Sequence, residues 1–203
     1  MLKDAGLYCI AFALPTQTGN FGFAGNYFGS AVYNEMRWQL AYGRRLGKVD
    51  AGVGFNYCMF KTAGYGKSSA VNFEAGFIFH MTEQLQIGAH VYNPVSLKND
   101  KSNQERMPLV YSSGLGYDVS KEFFLGAKVE KTEDLPLNVV VGLEYAFDKK
   151  LIARAGISTA TSSFYFGTGV LLDHLRIDIT ASIHPQLGVT PGLMMVYNSP
   201  LKQ

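Results

Sequence analysis

The stretch GYGKSS, residues 64–69, ends as a phosphate-binding loop ends, with a glycine, a lysine and a hydroxyl in succession. In that chemistry backbone N–H groups cradle a nucleotide's phosphates and the lysine holds their outer oxygens. It also requires a glycine five positions before Gly66, where Lys61 stands, and a helix afterwards, where VNFEAGFIFH alternates as a strand does. The segment therefore reads as a surface loop. Histidine chemistry finds no better footing. His80 and His90 fall on neighbouring strands at different heights, and metal ligation needs convergent ligands. His184 stands near Ser182, but no nucleophile context surrounds that serine. The sequence thus implies no enzyme, no metal and no cofactor.

What remains is a set of charges placed by a period of two. In NVVVGLEYAFDKKLIARAGIST, residues 138–159, one parity holds Val139, Val141, Leu143, Tyr145 and Phe147, then Leu151, Ala153, Ala155 and Ile157. The other holds Gly142, Glu144 and Ala146, then Ile152, Arg154 and Gly156. Strand side chains alternate faces, so this is a hairpin with one apolar and one mixed face. Across the chain the mixed face collects Arg37, Glu74, His80, His90, Lys128, Glu130, Glu144, Arg154, Arg176 and Asp178. Glu144 and Arg154, counted from the DKK turn, come nearly opposite. Mixed signs favour a packed network of pairs, because a selective pore more often shows rings of one sign.

The elements that must position these residues are strands throughout. Alternation places them near 7–15, 20–28, 36–45, 49–61, 70–81, 85–93, 108–119, 122–131, 137–147, 150–158, 163–172, 175–183 and 191–198. Most have the roughly nine to eleven residues that cross a bilayer on a tilt, and no run is apolar enough for a membrane helix. Tight turns (QTGN, RLGK, TEQ, SKE, DKK, DH) alternate with longer links (GSAVYNE, TAGYGKSSA, PVSLKNDKSNQERM, KTEDLP, TATSS, HPQLGVTP). That asymmetry is expected of an up-and-down barrel with periplasmic turns and extracellular loops. Apolar-face aromatics gather at both strand ends, Phe21, Tyr42, Tyr145 and Phe147 near the turns and Tyr27, Trp38, Tyr57 and Phe73 near the links, as a membrane girdle requires.

Which face is wet follows from size. A soluble barrel of thirteen strands with its apolar side inward would enclose more space than side chains fill. Lipid on the apolar side removes that difficulty, and closure satisfies the backbone. The expectation is an all-β, up-and-down antiparallel transmembrane β-barrel: a single domain over 1–203, about thirteen strands of a 14-strand barrel, its mixed face lining the lumen. Its surroundings would be outer-membrane lipid and lipopolysaccharide, with DKK on the periplasmic side and KNDKSNQER outside. A net charge of +2 gives no reason to expect nucleic acid. Cys9 and Cys58 fall on strands too far apart to bridge and read as two small buried thiols. MLKDAGLYCIAFAL lacks the pattern of a cleaved leader, so the chain reads as a mature or truncated piece.

LPTQTGNFGFAGNYFGSAVYNEMRWQLAYGRRLGK, FEAGFIFHMTEQLQIGAHVYNP and LIARAGIST resemble the outer-membrane barrels of Bacteroides-type bacteria related to PorV and, more distantly, FadL. The likeness runs over nearly the whole chain and rests on strand and turn wording, not on a catalytic signature. It implies a barrel of about fourteen strands. It also implies transport of a small or hydrophobic solute, or an accessory role in type IX-like secretion with secretion-system or surface partners. The alternative is a structural or adhesive surface barrel with a plugged lumen. Members carry a leader and strands upstream of the segment matching LKDAGLYCIAFALP, and VYNSPLKQ runs past the usual terminal aromatic, a part Tyr197 would take.

Overall fold

In the computed structural model, residues 5–30, 32–64, 66–94, 107–148 and 150–199 are described. They form thirteen strands: β1 (Gly6–Pro15), β2 (Asn20–Gly29), β3 (Tyr33–Leu46), β4 (Val49–Thr62), β5 (Gly66–His80), β6 (Leu85–Tyr92), β7 (Val110–Asp118), β8 (Phe123–Thr132), β9 (Asn138–Phe147), β10 (Leu151–Ser158), β11 (Ser163–Leu172), β12 (Leu175–His184) and β13 (Gly188–Tyr197). Each overlies one expected strand. The sheet order is the chain order, β1 to β13, an antiparallel meander.

Period two in the sequence becomes two unlike faces. On β9, Val141, Leu143, Tyr145 and Phe147 are exposed, at 43%, 42%, 40% and 48%, while Gly142, Glu144 and Ala146 between them are half-buried. On β4, Val53, Phe55, Tyr57 and Met59 are exposed and Asn56 and Cys58 are buried. Among the described residues Cys58 is the only buried hydrophobic side chain, whereas Asn56, Asn72, Asn93, Ser158, Ser163 and Asp178 are all buried. A protein dissolved in water buries its large apolar groups and leaves its charges wet. This sheet exposes its large apolar groups and buries amides, hydroxyls and one carboxylate.

Exposed rings lie in cross-strand contact, which widens the apolar surface without a core. Phe23 stacks on Trp38 at 5.7 Å, Phe21 meets Tyr42 at 5.0 Å, and Phe55 meets Phe73 edge-on at 5.4 Å. Gly25, opposite Trp38 in register, makes room for the indole, since a Cβ there would lie 2.5 Å from its ring.

The links differ from the expected short-long alternation. TAGYGKSSA is shorter as a link than expected, because β5 already begins at Gly66 and runs 15 residues. HPQLGVTP contracts to 185–187, with β13 entered at Gly188 and Pro191 paired to Ala181. Polar composition suggested loops there, but Lys67, Ser68 and Ser69 keep the alternation, and Pro191 sits in the last strand of the order, where a missing N–H is tolerated. At the turn between β9 and β10, Asp148 is left-handed (φ 46°) and the Lys150 N–H donates to the Phe147 carbonyl at 3.0 Å. KNDKSNQER and Lys149 lie outside the described residues. Cys58 is buried as expected, but Cys9, on β1 at the end of the sheet order, is exposed.

Contacts gather the chain into two compact units, Met1–Phe79 with Gly88–Tyr111, and His80–Ile87 with Ser112–Gln203.

Candidate functional site: two polar networks on the mixed face

In the second unit the register of β9 on β10 sets Glu144 directly opposite Arg154. The Arg154 guanidinium donates from Nε to Glu144 Oε2 at 2.6 Å and from its terminal nitrogen to Asp178 Oδ1 at 2.7 Å. Arg176 donates from Nε to Asp178 Oδ2 at 2.9 Å. The result is a ladder of alternating sign, Glu144–Arg154–Asp178–Arg176, with two charges of each kind and Asp178 wholly buried.

Arg154 and Asp178 stand on β10 and β12, about 10 Å apart at two strand spacings. The strand between supplies the passage. Arg154 pairs with Gly167 on β11, and Asp178 pairs with Gly169. A Cβ on Gly169 would collide with the Asp178 carboxylate, and one on Gly167 would come within 3.2 Å of Thr180 and 3.8 Å of Arg154. Bare backbone at both positions lets the carboxylate lean across β11. Lys128 pairs along its own strand with Glu130 at 2.8 Å, and Ser112 donates to Glu130 at 3.2 Å.

The first unit repeats this device with different chemistry. Glu74 on β5 is opposite Gly54 on β4, where a Cβ would lie 2.5 Å from Glu74 Oε1. Across that gap Glu74 accepts a hydrogen bond from the Gln39 amide on β3, and on its other side it meets His90 Nε2 at 3.3 Å. One rung away are neutral groups. Asn56 donates to Asn72 Oδ1 at 3.0 Å; Asn72 donates to the Tyr92 hydroxyl at 2.8 Å and to Met107 Sδ at 3.2 Å. The Arg37 guanidinium lies 5.4 Å from the Tyr92 ring centroid and bonds Glu35 at 3.1 Å. Asn93, left-handed at φ 54°, donates to the Met107 carbonyl at 2.7 Å. Met107 is thereby tied to Asn93 and to the buried Asn72.

The structure thus brings Glu144, Arg154, Arg176 and Asp178 together, pairs Lys128 with Glu130 and Glu74 with His90, and sets Arg37 on Tyr92. His80 closes β5. Gln39, Asn56, Asn72, Tyr92 and Asn93 carry no charge, and Glu35 precedes the expected strand start at 36, so none of them stood out in the sequence. Parity alone would have found Gln39, Asn56 and Asn72, which share the face of Arg37 and Glu74. His184 accepts at Nδ1 the backbone N–H groups of Gln186 and Leu187, both at 3.1 Å, and so shapes a turn. Among the described residues no group of three or more His, Cys, Asp or Glu is placed to hold a metal ion.

No family model matches the sequence, and no curated protein matches it. Solved structures do. The toluene transporter TodX of P. putida aligns with a TM-score of 0.64 at 10% identity, over 93% of this chain and 79% of that one. A mutant of the Rh. blastica porin aligns at 0.55 and 8% identity, over 94% and 89%, and a second mutant of that porin at 0.53 and 8%, over 94% and 88%. At such identities the likeness is one of fold. The chain has the all-β, up-and-down fold of outer-membrane β-barrels.

Proposed function

We propose that this chain is a bacterial outer-membrane barrel that passes a small or hydrophobic solute. The observation that carries the reading is the inversion of faces: large apolar side chains stand exposed while asparagines and an aspartate are buried. Lipid is the solvent in which that arrangement is stable, and the polar network then faces the lumen. The fold likeness to a toluene transporter and to a porin supports transport rather than catalysis. On this reading the turn at Gly47 and Lys48 faces the periplasm, and the opposite end of the sheet, at Ser30, Ala63 and Asn93, faces outward.

A second reading has its own support. The charge ladder is internally paired, and Met107 is tied onto the other network, as in a plugged structural or adhesive barrel. An accessory role in protein secretion would rest on the resemblance of those segments to PorV-like barrels alone. Planar-bilayer recording of the purified chain, with liposome swelling in neutral sugars, separates them. Transport requires steady conductance or swelling; a sealed bilayer with correctly inserted protein would overturn it.

A further inference from the structure

The GYGKSS segment, rejected as a nucleotide site, leaves a charge pattern that the lumen networks do not use. Lys67 stands directly opposite Lys61 in the ladder of β4 on β5. Directly opposed side chains have Cβ atoms about 5 Å apart, and like charges in that position repel. Both lysines are exposed, and neither makes an ion pair or hydrogen bond among the described residues. Both lie on the outward parity, with Tyr57 and Met59 on β4 and Phe73 on β5, and not on the parity of Asn56, Asn72 and Glu74.

Their height is set by what precedes them. From Val49 to Met59 the outward residues of β4 are Val49, Ala51, Val53, Phe55, Tyr57 and Met59. A tilted strand of about eleven residues spans the roughly 25 Å apolar band of an outer-membrane barrel. Lys61 is the next outward residue. On β5 the apolar series Phe79, Phe77, Ala75, Phe73 and Val71 ends at Ser69 and then Lys67. Two compact ammonium groups thus stand one rung beyond the band, at headgroup level, with the Ser69 hydroxyl beneath them.

We propose that Lys61 and Lys67 together hold a phosphate group of lipopolysaccharide on the outside of the sheet. Ala63 and Gly64 follow β4 at the end of the sheet where Asn93 follows β6, the end assigned outward above, so the facing leaflet is the one built of phosphorylated glycolipid. The anion removes the repulsion between the lysines, and Ser69 supplies a neutral donor. The inference rests on the membrane reading given above.

The test uses the purified full chain in detergent, with bisphosphorylated lipid A as probe and dephosphorylated lipid A and phosphatidylglycerol as comparisons. The readout is the midpoint of heat-modifiable gel mobility as lipid is titrated. The bisphosphorylated form is expected to raise the midpoint and the other two lipids to leave it nearly unchanged. Lys61→Gln with Lys67→Gln should weaken apparent binding about 25-fold, from roughly fivefold per lysine at an anionic surface. Arg44→Gln, an outward cation at the opposite end of β3, should leave binding unaltered. Equal shifts with all three lipids, or an unaltered response in the double variant, would overturn the site. Failure of the membrane reading looks different: the unmodified chain would then not insert into phospholipid bilayers at all.

Discussion

The mixed face of β3–β6 and that of β9–β12 solve one geometric problem with different chemistry. In each, a carboxylate crosses a strand at a glycine to reach a partner two strands away: Glu74 over Gly54 to Gln39, and Asp178 over Gly169 to Arg154. In the first region the crossing carboxylate meets an amide and a histidine, beside a cluster of amides, a phenol and a thioether; in the second it meets two arginines. The difference teaches that glycine on the intervening strand sets the reach of such a network, while the partner sets what a disruption costs. A neutral cluster loses one hydrogen bond at a time. A buried charge that loses its counter-charge is far more expensive.

The largest effect is therefore expected at Asp178. Asp178→Asn removes the only charge shared by Arg154 and Arg176, and should cost about 3–5 kcal/mol of stability in detergent, followed by loss of β-sheet circular dichroism with temperature. In a bilayer the same change should shift the reversal potential in a salt gradient toward anion preference, because two guanidinium groups are left with Glu144 alone. Unaltered selectivity would mean that the ladder does not line the conducting path.

The glycine crossings sharpen the comparison. Gly169→Ala should cost about 1–3 kcal/mol, since the new methyl meets an aspartate held by two arginines. Gly54→Ala meets the flexible end of Glu74, whose longer side chain can swing aside, so its cost should be under about 1 kcal/mol. Equal losses at the two glycines would remove the distinction between the regions.

The period of two made every strand legible, because both its polar and apolar parities persist even where Lys67, Ser68 and Ser69 give a strand the composition of a loop. Strand ends were not legible for that same reason. Glu144 and Arg154 were readable as a pair, since a turn of known length fixes their register. The third member was hidden: Asp178 reaches Arg154 only because Gly167 and Gly169 lie on the strand between, and sequence distance does not show which strands a side chain can cross. The amides Asn56 and Asn72 shared the predicted face but carried no charge to draw attention to them.

The smallest effect is expected at the wet end of the ladder. Glu144 is more than a third exposed, so Glu144→Gln should cost under about 1 kcal/mol after solvent screening. Arg154→Gln strands buried Asp178 with one partner and should cost more. The double variant should lose less than the sum of the two single losses, since each change removes the same contact. Strict additivity in the thermal melts would show that the two do not interact in solution.

The central claim is that the apolar face meets lipid, and the chain carries its own probe for it. Trp38 is the only tryptophan, exposed on the apolar parity and stacked on Phe23. Its fluorescence should be measured in liposomes containing acyl-chain-brominated phospholipid and, separately, with aqueous iodide. Strong quenching by the brominated chains with little effect of iodide is the expected result. Quenching by iodide with indifference to the brominated lipid would place Trp38 in water and the apolar face on the wrong side.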